Sequence, residues 1–176
     1  MTQLKRPGAK IGVFLIMVMI VGLLIPQRLE MPVQGATKSD YNPNSFWYYP
    51  WGKSVTHKGV DVFAKKGTPI HSSTIGVVLY AGEIGYGGKF AVILGPKWRL
   101  HYYAHLDEVK TKPLRFLSKK SMIGTVGNTG NAENTPPHLH YSIATIIPYP
   151  WRIDKAKHGY LKMFYLNPIP YLNKTP

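Results

Sequence analysis

The sequence contains no cysteine among its 176 residues. Disulfide bonds, thiolate zinc sites and cysteine nucleophiles are therefore excluded, and any metal ion must be held by nitrogen and oxygen ligands. Negative charge is also scarce, with 8 Asp and Glu residues against 22 Lys and Arg residues and a net charge of +14. Such a chain is attracted to polyanions such as nucleic acid, anionic lipid or acidic cell-wall polymer, and charge alone does not choose among them.

Helical periodicity is the third absence, because no segment after residue 30 carries an apolar stripe with a 3.6-residue period. Short β-branched or aromatic runs alternate instead with turns that contain glycine, and the runs are 60–64, 75–81, 90–94 and 100–106. We therefore predict a mainly β fold, a compact antiparallel barrel or sandwich. The chain length allows one such domain.

The one long apolar run spans residues 11–25 and follows Lys5, Arg6 and Lys10. This layout is typical of an export signal or a membrane anchor. As a helix the run would measure about 22 Å, short of the about 30 Å hydrocarbon core, so its length leaves cleavage open. We predict an uncleaved transmembrane helix in the bacterial cytoplasmic membrane, with everything after it on the extracytoplasmic side.

The changes in composition divide the chain into four parts. Residues 1–26 form the signal-anchor or transmembrane segment, and residues 27–45 form a linker rich in Pro, Asn, Ser and Tyr. Residues 46–147 contain the predicted strands, and residues 148–176 form an aromatic and basic extension. We expect a single folded domain over 46–147.

Histidine spacing provides the chemical signal in this sequence. His57 and Asp61 are four residues apart, and His138 and His140 are two apart, so each pair shares one face of an extended segment. Two imidazoles and one carboxylate would hold Zn²⁺ tetrahedrally with a fourth position for water, which is typical of a catalytic zinc site. The remaining histidine of the 138/140 pair and His105, at the end of a predicted strand, are candidates for acid–base catalysis.

Several short motifs follow one another in a recognisable order. They are His-Lys-Gly-Val-Asp at 57–61, Lys-Gly-Thr-Pro-Ile at 66–70, Tyr-Ala-His-Leu at 103–106, Gly-Asn-Thr-Gly at 127–130 and Pro-His-Leu-His at 137–140. Together they resemble the lysostaphin/LytM-type zinc metallo-endopeptidases, which cut peptidoglycan cross-bridges. The resemblance covers about residues 51–143.

The resemblance implies one Zn²⁺ per chain, held by His57, Asp61 and His140. It also implies that His105 and His138 are catalytic residues, which activate the water and stabilise the tetrahedral intermediate. The fold it implies is a compact antiparallel β core with a groove between loops, and residues 46–147 would then be the metallopeptidase domain.

We therefore expect a membrane-tethered zinc endopeptidase that hydrolyses amide bonds in peptidoglycan stem peptides or cross-bridges. The alternative is a non-hydrolytic wall-binding protein or an activator of other wall hydrolases, because some similar proteins have lost their ligands. A nucleic-acid partner is not expected, since the sequence has no nucleic-acid motif and the domain is predicted to be exported. The bond that is cut and the oligomeric state stay open.

Other residues receive simpler interpretations. His101 is expected to be a surface histidine, and His71 and His158 are expected to be structural or exposed. The glycine-rich residues 85–88 are expected to form a flexible loop at the edge of the groove. The aromatic run 46–51 is expected to pack on the domain, and stacking against substrate sugar is the alternative.

Overall fold

One antiparallel sheet organises the chain in a computed structural model that describes residues 7–174. Lys5 and Arg6, two of the predicted anchor charges, lie outside the described residues. The strands are β1 Val60–Phe63, β2 Pro69–His71, β3 Gly76–Glu83, β4 Lys89–Gly95, β5 Arg99–Val109, β6 Phe116–Leu117, β7 Met122–Val126, β8 His138–Thr145 and β9 Tyr165–Leu166. The helices are α1 Pro7–Leu24 and α2 Ile169–Leu172. The predicted mainly β, antiparallel fold is confirmed.

The strand order is β1-β8-β5-β4-β3-β6, with β9 added to β8 and with β7 paired to both β5 and β2. The long strand β5 pairs with β8 over its first half, and with β7 from Leu106 to Val109. The sheet therefore branches at β5, and within residues 7–174 it does not close on itself. The prediction of a closed barrel was wrong for this reason.

Alternation along the strands separates an apolar face from a polar face. Val60 and Val62 of β1 are fully buried, as are Leu139, Tyr141 and Ile143 of β8. Side chains between them point to the opposite face, because successive residues of a strand face opposite ways. The intervening residues Asp61 and His140 therefore lie together on the face away from the core.

The core also contains a polar cluster around Ser73, whose hydroxyl lies 2.7 Å from the hydroxyls of both Tyr103 and Tyr141. The Tyr141 hydroxyl lies 2.7 Å from Nδ1 of His101. His101 is fully buried, so the expectation of a surface histidine was wrong. The Gln27 amide donates to its Nε2 at 2.9 Å, which brings the start of the predicted linker to the core.

The segments that flank the sheet contribute to the same core. Val33 and Tyr41 of the predicted linker are buried, and Val33 forms a bridge to Ile70. In the C-terminal extension, Leu166 and Leu172 are buried. Both flanking segments therefore contribute residues to the same hydrophobic core as the sheet.

Helix α1 contains the N-terminal apolar run and contacts the turn between β4 and β5. Trp98 Nε1 donates to the carbonyl oxygen of Met19 at 2.9 Å, and Lys97 Nζ donates to that of Leu23 at 2.9 Å. In the part of the chain that the structure describes, no helix combines the length and apolar character needed to cross a membrane. The predicted transmembrane helix is therefore not confirmed.

Candidate metal centre and active site

Asp61 and His140 are direct register partners on the neighbouring antiparallel strands β1 and β8. Directly opposed residues of such a pair hold their Cβ atoms about 4.5–5.5 Å apart, so short polar side chains meet. Oδ1 of Asp61 lies 2.8 Å from Nδ1 of His140. The pairing of two strands thus creates the first half of the site.

His57 completes the cluster from the loop that precedes β1. Its Nε2 lies 3.1 Å from Oδ1 of Asp61 and 3.1 Å from Nδ1 of His140. Its other ring nitrogen, Nδ1, lies 3.0 Å from the carbonyl oxygen of Ser45, which can only accept. Nδ1 therefore carries the proton, and in the neutral ring Nε2 presents a lone pair to the other two residues.

The geometry of these three atoms fits a zinc ion. Zn²⁺ with bonds of about 2.0–2.1 Å at tetrahedral angles places neighbouring donor atoms about 3.3 Å apart. The three observed separations are 2.8, 3.1 and 3.1 Å. Two imidazole nitrogens and one carboxylate oxygen at such separations could coordinate one cation, and they are a common zinc donor set. His57, Asp61 and His140 could therefore hold a metal ion, and Zn²⁺ is the ion they fit.

The charge state of Asp61 suits this role. Burial favours the neutral carboxyl, but the hydrogen bond from His140 opposes this effect, and the pKa of Asp61 is held well below its usual range. Burial also lowers the pKa of His140, although Asp61 opposes that effect. An ionised carboxylate beside neutral imidazoles is the protonation state that metal binding requires.

His105 and His138 lie beside this cluster. The ring centroid of His105 is 5.1 Å from that of His138 and 5.9 Å from that of His140. Nδ1 of His105 donates to the carbonyl oxygen of Thr129 at 2.9 Å, and Nδ1 of His138 donates to that of Pro136 at 2.8 Å. Both rings therefore keep Nε2 available, and Nε2 of His138 lies 3.9 Å from Oδ2 of Asp61.

The backbone and the pKa of His105 are both unusual. His105 has φ 64°, a left-handed conformation that is uncommon outside glycine and that clusters at functional sites. Burial, with smaller contributions from His140 and His138, lowers the pKa of His105 to about 4. At neutral pH the ring is uncharged, and its free nitrogen is able to accept a proton.

All five residues line one cleft with a volume of about 610 Å³. Its floor is the polar face of the sheet, where Val92, Tyr102 and Ser142 lie. Its rims are loops, which contribute Trp51, Ser54, Thr56, Lys58, Tyr86, Gly87, Asn131 and Thr135. The predicted loop 85–88 thus does border the groove.

Trp51 is the cleft residue that sequence reasoning undervalued, because packing on the domain was preferred to stacking against substrate for the aromatic run 46–51. Its indole stacks on the His57 ring, with centroids 4.2 Å apart and an interplanar angle of 26°, and it stays 37% exposed. Tyr86, which is 66% exposed, lies across the cleft and was not singled out. Exposed aromatic residues close to a histidine motif are the signal that could have identified Trp51.

A cluster of three potential metal ligands with two further histidines, in a cleft on an antiparallel sheet, defines a metallohydrolase type of site. Comparison with known families agrees: peptidase family M23 matches residues 55–149. Because this match covers more than half of the sequence, the chain belongs to peptidase family M23.

Known proteins of several bacteria are similar to the chain. It is 32% identical over 118 residues to the peptidoglycan DD-endopeptidase ShyA of Vibrio cholerae, a match that covers 66% of this chain and 26% of that protein. The chain therefore corresponds to about a quarter of that relative's length.

Solved structures give the same result. The catalytic domain of the antimicrobial peptidase lysostaphin from Staphylococcus simulans superposes with a TM-score of 0.62 and 25% identity, over 77% of this chain and 95% of that domain. A zinc-containing peptidase from Vibrio cholerae superposes with a TM-score of 0.55 and 27% identity, over 66% of this chain and 36% of that protein.

Proposed function

We propose that the chain is a zinc metallo-endopeptidase that hydrolyses amide bonds in peptidoglycan stem peptides or cross-bridges. The observation that carries this proposal is the convergence of three donor atoms within 2.8–3.1 Å of one another, beside two histidines whose Nε2 atoms are available. The peptidoglycan substrate is suggested by ShyA, which is named for it.

His57, Asp61 and His140 would hold the ion. When bound in such a site, Zn²⁺ acts as a Lewis acid and lowers the pKa of a coordinated water to about 7. His57, Asp61 and His140 all line the cleft, so an ion held by them would be accessible to substrate. Ser45 holds the proton of His57 on the nitrogen that points away from the ion.

His105 and His138 would handle the protons. His105, neutral at pH 7, accepts the proton of the attacking water at Nε2, while Thr129 fixes its ring. His138 in its protonated form donates from Nε2 to the oxygen that becomes negative as the carbonyl is attacked. The proton that His105 took from the water then passes to the amide nitrogen as the C–N bond breaks, so the amine leaves as a neutral group and the hydrolysis is complete.

The decisive experiment digests purified peptidoglycan with the full chain and identifies the products by mass spectrometry. New amino and carboxyl ends, loss of these products with a chelator and recovery with Zn²⁺ are expected. His57→Ala should lose both the metal and the products, whereas the matched control His71→Ala should keep both, because His71 lies outside the cleft. Binding to the wall without new ends would instead favour the non-hydrolytic activator.

We also propose that the chain acts outside the cytoplasm and associates with the membrane through its N-terminal segment. The support is the apolar run itself, whose side chains in α1 are exposed: Ile11, Phe14, Leu15 and Ile16 are each at least 59% exposed. Fractionation of cells tests this proposal. Release of the protein by salt alone, with an N-terminus near residue 37, would contradict it.

A further inference from the structure

An exposed apolar and basic surface lies away from the cleft, on the loop from residue 110 to residue 120. This segment, here called the basic loop, contains no acidic residue and carries Lys110, Lys112, Arg115, Lys119 and Lys120. None of its residues lines the cleft. The proposed hydrolytic reaction therefore gives these residues no role.

Two large hydrophobic side chains project from the basic loop into solvent. Leu114 is 84% exposed, the highest value for a large hydrophobic residue in the described part of the chain, and Phe116 is 67% exposed. Leu79 of β3, 46% exposed, adjoins them, because the backbone of its neighbour Val78 is hydrogen-bonded to both Leu114 and Arg115. A contiguous exposed apolar patch, unlike a single exposed side chain, indicates an interaction surface.

The backbone keeps Leu114 on this surface. Its φ is 65°, a left-handed conformation in which glycine or asparagine is usual and a bulky residue is strained. A leucine that is both strained and exposed contributes little to the stability of the fold. Its side chain is therefore better explained by contact with a partner than by packing inside the chain.

The charges specify the partner. Lys110 pairs with Glu108 at 3.0 Å and Lys119 pairs with Glu30 at 2.8 Å. Among residues 7–174, no carboxylate lies within ion-pair distance of Lys112 or Arg115, the two cations close to Leu114 in sequence. Apolar side chains among free cations are complementary to a bilayer that contains anionic lipid, since the headgroups attract the cations and the acyl region takes up the apolar groups.

The position of the basic loop agrees with this partner. Besides the ion pair between Lys119 and Glu30, the Lys120 N–H donates to Ser72 and the Glu30 N–H donates to Ser73, so the chain that leaves α1 runs beside the base of the loop. Glu30 is six residues beyond Leu24, the last residue of α1, which limits their separation to about 22 Å. The end of the apolar helix therefore lies within about 22 Å of Glu30, which pairs with Lys119 at the base of the loop.

We propose that the basic loop is a membrane-docking surface, which inserts Leu114 and Phe116 into the interface of an anionic bilayer while Lys112 and Arg115 contact lipid headgroups. The loop is a second contact, distinct from the N-terminal apolar segment. It would hold the domain at a defined orientation on the membrane, with the cleft open to substrate.

Because the chain has no cysteine, a single introduced cysteine can carry an environment-sensitive dye on the full-length protein. The test places the dye at Leu114→Cys and, as the control, at Asn134→Cys, an exposed position in another loop. Each protein is mixed with phosphatidylcholine vesicles, with vesicles that also contain phosphatidylglycerol, or with purified cell wall. The dye emission reports whether the labelled position leaves water.

The proposal expects a blue shift at position 114 with the anionic vesicles, and none at position 134. Unchanged emission at position 114 while the protein sediments with the vesicles would overturn it, as would an equal shift at both positions. A shift produced by cell wall but by neither type of vesicle would overturn it in favour of a wall polymer.

A pair of charge variants separates the basic loop from general electrostatic attraction. Lys112→Glu with Arg115→Glu should raise the lipid concentration needed for half of the blue shift at least about tenfold, because each cation near an anionic surface contributes favourably. Lys155→Glu with Lys157→Glu makes the same change in net charge elsewhere and should leave that concentration within about twofold. Equal effects of the two pairs would contradict a specific docking loop. Zinc content and peptidoglycan hydrolysis should stay unchanged in both, which shows that they fold.

Discussion

The indole of Trp51 stacks on the imidazole of His57, with ring centroids 4.2 Å apart and 26° between the ring planes. The Ser45 carbonyl fixes the same imidazole from its opposite nitrogen. Trp51 therefore holds the face of the His57 ring and Ser45 holds its edge, without any ion. This preorganisation reduces the loss of conformational entropy on metal binding. It matters for His57 because this residue lies on a loop and not on the sheet.

Trp51→Ala should therefore weaken zinc binding by roughly 10- to 100-fold, the usual effect of removing a residue that orients a ligand. Trp51→Phe should recover part of the loss, because it restores an aromatic face. Competition with a chromophoric chelator measures the affinity. Trp151→Ala is the matched control, since Trp151 is 79% exposed and outside the cleft, and an equal loss in that variant would show that the stacking has no special role.

Gly59→Ala should damage the site through its backbone. A Cβ atom at Gly59 would lie 2.5 Å from the carbonyl oxygen of Tyr141 and 2.9 Å from the His140 ring, so β1 would have to move from β8. We expect a loss of about 1–3 kcal/mol in the free energy of unfolding, together with weaker zinc binding. Urea denaturation measures the first and chelator competition the second.

Gly12→Ala serves as the control for that substitution, because nothing lies within 4 Å of the added atom. Unchanged zinc affinity in Gly59→Ala would show that the separation of β1 from β8 is not critical for the site.

His105→Ala should keep the zinc ion but reduce the rate of hydrolysis by roughly 10²-fold or more, because a general acid–base residue contributes 10²- to 10⁴-fold. His105 lies beside the three ligands and is not one of them, so zinc content should equal that of the unmodified chain. Metal analysis and the rate of release of new peptide ends test both statements. Digestion at the original rate would remove His105 from the proposed mechanism.

Burial of His101 makes the fold sensitive to acid. Burial, and then the charge of Arg99, lower the pKa of His101 from 6.5 to about 3. Between these two pH values His101 is protonated in the unfolded chain but neutral in the folded chain. Above pH 6.5 both states are neutral and this contribution vanishes. Between pH 6.5 and about 3 the free energy of unfolding should fall by up to about 1.4 kcal/mol per pH unit from this residue alone.

His101→Gln retains a polar side chain for Tyr141 and Gln27. This variant should lack the contribution of one proton to the pH dependence of the free energy of unfolding. Urea denaturation at pH 7, 6, 5 and 4 measures it for both proteins. If the free energy of unfolding fell equally with decreasing pH in both proteins, His101 would not be the cause of the acid sensitivity.

Sequence patterns predicted the strands that are marked by a run of β-branched or aromatic residues within their own length. The β-branched runs at 60–64, 75–81, 90–94 and 100–106 correspond to β1, β3, β4 and β5, and the histidine spacings identified the residues that converge. Strands of two or three residues, such as β6 and β9, leave no periodic signal because their pairing depends on distant partners. The barrel prediction failed because the branch at β5 depends on which strands pair with Leu106 and Val109, and no local pattern specifies this.

His101 illustrates the limit for single residues. On a regular strand, His101 and His105 would share one face because they are four residues apart. The backbone at His105 is left-handed and interrupts this alternation, and His101 lies in the core with its Nδ1 next to the Tyr141 hydroxyl. Gln27, which satisfies His101 from 74 residues away, cannot be assigned to it from sequence. Long-range hydrogen bonds of this kind decide the burial of polar residues.

Asp61 and His140 are 79 residues apart and are brought together only by the pairing of β1 with β8. This pairing must therefore precede metal binding. A slip of one residue between β1 and β8 would turn one of the two side chains into the apolar interior. The ion can therefore be captured only after the two strands have docked correctly, and once captured it opposes their separation. Zinc binding is thus a late step of folding, and a chain with mispaired strands would not bind the ion required for hydrolysis.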